Sequence, residues 1–423
     1  MADHTPLQQA LATGMMPGAD LSAELAKLGE YPIESSEDAQ AACAALKQYE
    51  FALDRRDQND EVLHPLASLF QDVATEEAFT VFHDEGIPSL LRIFDRLSQS
   101  PGESAEDLLF LLKIFVLYKS EEGAQRLVET ARRGIEPDSY IWAVIFESFE
   151  EDHPHREAVC EGLRGSLPED FCAVCYLDFV NQLAISGELS SHPFDSDEGV
   201  ALLQRWLESQ DPDEYSYGQS ATAALPFLSH GDRDRLMSLA MDHPDERVQL
   251  EAAWASARLG SEGGIKSLAR YCTDPTVSVL ACSYLEELGR ADAIPEEARD
   301  PDFVAMSEMC LWLSHPQEYG APPDEIELFD KRVMYWPPTD DERPLWLFKY
   351  TYDADDENEE PDVGIGMVGS VTFALFGETR PSQSPEDIYA LHCCWELEVN
   401  EDPRAPEERS IEAGRQILAE YQK

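Results

Sequence analysis

A few spacings in this 423-residue chain are of the kind that carries chemistry. Gly364-Ile-Gly366-Met-Val-Gly369 has the G-x-G-x-x-G spacing with which a tight turn cradles a pyrophosphate. That chemistry needs a strand before the turn and a helix N-terminus after it. Here an acidic stretch precedes and SVTFALF, a strand-like run, follows, so the glycines read as kinks or bulges in a strand. The acidic stretch DADDENEEPD, Asp353 to Asp362, holds seven carboxylates in ten residues and suggests calcium. An EF-hand loop starting at Asp353 would need glycine sixth and glutamate twelfth; Asn358 and Gly364 stand there, which leaves a solvated hairpin loop. Cys172-Ala-Val-Cys175 could give two of four zinc ligands, with His153 and His155 as the nearest others. Its surroundings, FCAVCYLDFVNQLAI, form an apolar helix, which points to core packing. Cys393-Cys394 lies beside His392 and Trp395; adjacent cysteines on a helix face different ways, so one is packed and the other a partly exposed thiol. No G-x-S-x-G, H-E-x-x-H, Walker A or kinase signature occurs. An enzyme is therefore not expected, and no catalytic residue, metal or cofactor is assigned. Tyr335, Trp336, Trp346 and His392 remain as candidate binding residues, the aromatics forming either a binding face or the core of a small sheet.

The segments that would position those residues begin near residue 326. Leu328–Trp336, Arg343–Tyr352 and Val363–Phe376 are rich in aromatic and β-branched residues and predict three antiparallel strands. Two helices follow: Ser384–Glu398, with Ser384 as cap, Pro385 at its first position and Asp387 as box partner, and Glu407–Tyr421. The expectation is a small α+β domain, 326–423, suited to capping the open end of a helical array. A deep pocket lined by Gly366, Tyr335, Trp346 and His392 would make it the seat of an enzyme or small-molecule site; a filled core would not.

From about residue 18 to 325 the pattern is helix, turn, helix. Leu108, Leu111, Leu112, Phe115 and Val116 show the three-and-four spacing. Ser35 with Asp38, Ser104 with Asp107 and Asp195 with Glu198 have the spacing of helix starts, and stops are expected at Gly86, Gly134, Gly187, Gly260 and Gly289. Five of the ten histidines, His64, His153, His192, His243 and His315, precede proline. A residue before proline is pushed out of the helical region and proline suits a first helical turn, so these histidines read as turn residues, not ligands.

Two stretches match at an offset of 29 residues: DERVQLEAAWASARLG, Asp245–Gly260, and DPTVSVLACSYLEELG, Asp274–Gly289. Asp245 aligns with Asp274, Val248 with Val277, Ala252 with Ala281, Leu259 with Leu288 and Gly260 with Gly289. A repeat of this length is a helical hairpin that buries its apolar face only by stacking on neighbours. This Asp-x-x-Val-x-x-x-Ala…Leu-Gly pattern resembles the first helix of a HEAT repeat, which would put Lys266 and Arg270 on the second helix of that unit. EAFTVFHDEGIPSLLRIF, Glu77–Phe94, resembles an armadillo repeat with its helix–Gly-Ile-Pro–helix form. The resemblance implies a right-handed α-solenoid over residues 1–325, used as a protein-binding scaffold, and carries over no catalytic residue.

Composition bounds the partners. The net charge is −54, from 31 basic and 85 acidic side chains. Residues 326–423 hold 9 basic and 23 acidic residues and the rest 22 and 62, so the acidity is spread along the chain and is not a tail. It reads first as a solubility adaptation, then as complementarity to a basic protein or as mimicry of nucleic acid. Direct binding to nucleic acid or an anionic membrane is disfavoured, because no Lys/Arg stripe exists to neutralise phosphates. The N-terminal MADHTPLQQALATGMMPGADL has no secretory pattern, and the most apolar run, Leu108–Tyr118, is short and broken by Lys113. Nine cysteines without a regular framework fit reduced thiols, and a cytoplasmic scaffold for a basic protein partner is the expectation.

Overall fold

The structure is a computed structural model that describes residues 4–16, 18–53, 62–229, 231–315, 317–354, 360–371, 373–375, 383–399 and 411–421. The chain is mainly helical and carries one small antiparallel sheet. It divides into two compact units, Met1–Leu236 and Met237–Lys423.

The first unit is built from α1 (Pro6–Gly14), α2 (Leu21–Ala26), α3 (Ser36–Ala52), α4 (Leu63–Ser68), α5 (Glu76–Val81), α6 (Ile87–Leu97) and α7 (Ala105–Leu117). After these come α8 (Glu121–Arg132), α9 (Ile141–Glu147), α10 (Arg156–Arg164), α11 (Asp170–Ile185), α12 (Asp197–Glu208), α13 (Tyr215–Ala224) and α14 (Arg233–Met241), the last spanning the division. Helices pack on their chain neighbours and on the next but one: α7 on α8 and α9, α8 on α10, α11 on α9 and α13. Ser35 caps α3 through the Asp38 N–H at 3.1 Å. The other two expected starts are corrected. A 3-10 turn, Gly102–Ser104, leads into α7 without a side-chain cap, and Ser196, not Asp195, caps α12 by accepting the Gly199 N–H. Asp195 instead accepts the Ser229 hydroxyl.

Four of the five expected stops hold. Gly134, Gly187, Gly260 and Gly289 have φ of 60°, 78°, 88° and 67°, the left-handed region that only glycine enters freely. After each, the next N–H reaches back five residues: Ile135 to Thr130, Glu188 to Leu183, Ser261 to Ser256 and Arg290 to Leu285. Gly86 does not stop a helix. Phe82–Gly86 forms a π turn that joins α5 to α6, an arrangement that relieves Pro88 of its clash with the preceding turn.

In the second unit α15 (Glu246–Arg258), α16 (Glu262–Tyr271) and α17 (Ser278–Glu287) precede α18 (Pro301–Leu313). The residues matched at the 29-residue offset agree in burial and at the helix ends, but Asp245 is the cap of α15 whereas Asp274 lies in the turn ahead of α17, whose N-cap is Val277. Asp245 Oδ1 accepts the Arg247 and Val248 N–H groups ahead of α15, and Asp274 Oδ1 accepts the Thr276 N–H ahead of α17. Val248, Val277, Ala252 and Ala281 are buried, and Leu259 and Leu288 end their helices. The sheet follows, in the order β1 (Glu325–Trp336), β2 (Asp341–Tyr352), β3 (Asp362–Val368), β4 (Phe373–Leu375), all antiparallel. The single strand expected over 363–376 is thus two, because Gly369 (φ 119°) reverses the chain. The one described bulge lies in β1 at Leu328/Asp330, not at the glycines. α18 covers one face, with Ala305, Met309 and Leu313 against Trp346, Phe348, Tyr350 and Val368. α19 (Pro385–Val399) and α20 (Ile411–Tyr421) pack with Trp336, Leu345, Leu347, Ile365 and Met367 on the other. A helix on the N-terminal side of residue 325 therefore shares a core with the sheet. Of the two expected C-terminal helices, residues 400–410 lie outside the described residues.

Candidate functional site

The candidate binding residues of the sheet do not gather in one place. Trp346 and Trp336 belong to opposite faces, as the two-residue period of strands requires. Trp346 Nε1 donates to Asp302 Oδ1 at 2.7 Å, and the Lys331 ammonium sits 5.5 Å from the ring centroid while pairing with Asp302 at 2.5 Å. These bonds hold the Asp302 carboxyl below its usual range. Trp336 is fully buried and donates from Nε1 to Glu396 Oε2 at 2.7 Å, an oxygen that also accepts the Ser370 hydroxyl at 2.7 Å. Burial pushes the Glu396 carboxyl up. His392 is fully buried on α19, one turn before Glu396. Tyr335 stacks on Tyr421 with centroids 5.3 Å apart and donates to Asp340. Gly366 lies inside β3, between Phe348 and Ala374. Glu396 was not singled out by the sequence, although the 388–392–396 spacing puts it on the buried stripe of α19.

Four of the five histidines that precede proline make the same local bond. Nδ1 accepts the backbone N–H two residues on: His153 from His155, His192 from Phe194, His243 from Asp245 and His315 from Gln317, at 3.1–3.3 Å. An accepting Nδ1 carries no proton, so each of the three buried rings, His153, His192 and His243, is neutral with its proton on Nε2. That Nε2–H then donates to Val116 O from His153 and to Asn181 Oδ1 from His192, each at 3.1 Å. Burial lowers all three interior rings, and His192 is brought to about 4. His64 departs from the expectation, since it lies within the first turn of α4. Cys172 and Cys175 are both buried in α11, and burial pushes both thiols up, Cys175 to about 12. Cys393 and Cys394 are both buried as well, so neither is the partly exposed thiol expected there. Among the described residues no three His, Cys, Asp or Glu side chains converge as a metal site.

What recurs along the chain is a set of ties that skip the adjacent helix and reach the next but one or beyond, and the scarce cations make most of them. Arg92 holds Glu50 at 2.7 and 3.0 Å, and Arg126 grips both oxygens of Asp95 at 2.8 Å. Lys119 meets Asp152 at 3.0 Å, Arg164 meets the Ser191 carbonyl at 3.0 Å, and Arg235 meets Gln204 at 2.8 Å. In the second unit Arg258 and Trp254 both donate to Glu287, at 2.7 and 3.2 Å, and Tyr284 donates to Glu251. With 85 acidic and 31 basic side chains, the carboxylates outnumber the cations by 54. The surface therefore presents uncompensated negative charge.

No family model, no curated protein and no solved structure matches the chain. Among the described residues no helix is long and apolar enough to cross a membrane.

Proposed function

We propose that the protein is a non-enzymatic scaffold whose helical hairpins stack as a HEAT/armadillo-type α-solenoid and bind a basic protein partner. The observation that carries this reading is the reach of most of the interhelical ties, Arg92–Glu50 at 42 residues being longer. Arg126–Asp95 spans 31 residues, Lys119–Asp152 33, Arg235–Gln204 31, Arg258–Glu287 29 and Arg290–Glu262 28. Each is about one hairpin, so each tie joins a repeat to the next, as in an array whose units touch only their neighbours. The next-but-one packing of α7 on α9, α8 on α10 and α11 on α13 supports the same reading. The partner's chemistry follows from charge: a surface with 54 surplus carboxylates attracts Lys/Arg-rich surfaces and repels phosphates.

The test is capture from the native host's lysate with the full chain, identification of what elutes, and rebinding of the purified partner at 0.05 and 0.5 M NaCl. A stoichiometric basic partner whose affinity drops more than tenfold between the two salts supports the reading. A partner that binds equally at both salts removes its electrostatic part, and rebinding of none removes the scaffold.

A further inference from the structure

The first unit holds a cleft of about 730 Å³ between the α1–α2 hairpin and α4. Its walls are apolar, formed chiefly by Leu25, Leu28, Leu69 and Pro65, and among the described residues no Lys or Arg lines it. The lining carboxylates, Glu30 and Asp72, are both exposed. The nearest basic residue in sequence, Lys27, pairs with Glu24 at 2.6 Å.

The backbone segments that carry the two carboxylates are tied together. Ile33 and Val73 form a parallel bridge, with Ile33 N–H on Asp72 O at 2.6 Å and Ala74 N–H on Ile33 O at 3.0 Å. Tyr31, which lines the cleft, is tethered by its hydroxyl to Asp38 at 3.4 Å, and buried Asp38 also accepts from Ser35 and Thr5. A cleft held from both sides meets its ligand with little reorganisation.

We infer that this cleft is the docking site for an amphipathic basic helix of the partner, an inference that rests on the scaffold reading above. The volume exceeds that of any one side chain and suits two or three apolar anchors from successive turns, spaced i, i+4, i+7. Lysines or arginines flanking those anchors meet Glu30 and Asp72. The apolar wall supplies what diffuse surface charge cannot, a preference for amphipathic order over mere basicity.

The experiment uses the full-length protein and two labelled 18-residue Leu/Lys peptides of one composition, one amphipathic as a helix and one scrambled. Fluorescence anisotropy at 0.1 M NaCl reads both affinities. The cleft binds the amphipathic peptide at least tenfold tighter than the scrambled one. The double variant Glu30→Lys/Asp72→Lys, altered only at exposed positions, removes that advantage and changes the scrambled peptide's affinity less than twofold. Leu69→Ser, checked for fold by circular dichroism, does the same without altering charge. If both peptides bind wild type equally with salt-sensitive affinity, or if the variants weaken both alike, the cleft is overturned and the basic-partner reading stands. If neither peptide binds wild type, both fall.

Discussion

The histidines at the His-Pro turns show how a residue type associated with catalysis can be committed to structure. For His192 both ring nitrogens are engaged, one by the Phe194 N–H and one by Asn181. His192→Ala removes both bonds and is expected to lower stability by about 2 kcal/mol; His192→Asn, whose amide oxygen can take the place of Nδ1, by about 1 kcal/mol. Urea unfolding at pH 7.5 measures both. The pH dependence follows from the lowered ring. The unfolded histidine titrates near 6.5 and the folded one at about 4, so the neutral form is favoured in the fold. Its contribution is complete above pH 6.5 and is lost as pH falls from 6.5 towards 4. His192→Asn should flatten the stability profile in that window; an unchanged slope would show that the ring is not the titrating group. Gly364 is a second residue whose identity is forced, since a Cβ there would meet the ring and hydroxyl of Tyr350. Gly364→Ala should lower stability by about 2 kcal/mol through overpacking, read by the same unfolding curves.

At the scale of elements, the ties between helices make a local prediction. Arg126→Ala should lower stability by about 0.5 kcal/mol, because the pair with Asp95 is partly exposed. Hydrogen exchange should then speed up in α6 and α8 and not in α15–α17, whereas a uniform rise along the chain would mark one undivided core. The elements also show what a sequence reveals. Ser35, the four left-handed glycines and the 29-residue match were legible because each is a local rule: a side chain capping its own helix, or a backbone angle only glycine takes freely. Errors came where two local signals competed. Asp195 and Ser196 are both good caps, and the bond went to Ser196 while Asp195 was drawn to Ser229. Gly86-Ile-Pro88 reads as a stop, yet a π turn carries the helix through it. The packing of α18 on the sheet was illegible for a different reason. Its partners lie some forty residues downstream, as Trp346 does from Asp302, and no periodicity encodes that pairing. The aromatic candidates failed to form one site for the same reason: alternation within β1 and within β2 is local, but the pairing of the two strands, which sets Trp336 and Trp346 on opposite faces, and the helix that covers each face are not.

At the scale of the molecule, charge governs. A net −54 repels itself, and salt screens that repulsion over a distance that shrinks from about 10 Å at 0.1 M to about 3 Å at 1 M. The melting temperature should therefore rise by several degrees between 0.05 and 0.5 M NaCl, even as the exposed ties weaken. Scanning calorimetry decides it, and a falling melting temperature would mean that the ties outweigh the repulsion. The link from Trp254 and Arg258 to Glu287 carries one more consequence. Donors and acceptor stand 33 and 29 residues apart, and the offset of the internal match is itself 29. Arg258 and Glu287 thus occupy the same position of the match, so a copy of either segment alone would set like charges against each other, and a chain lengthened in register would have to grow by the pair of segments, Arg alternating with Glu at the joint.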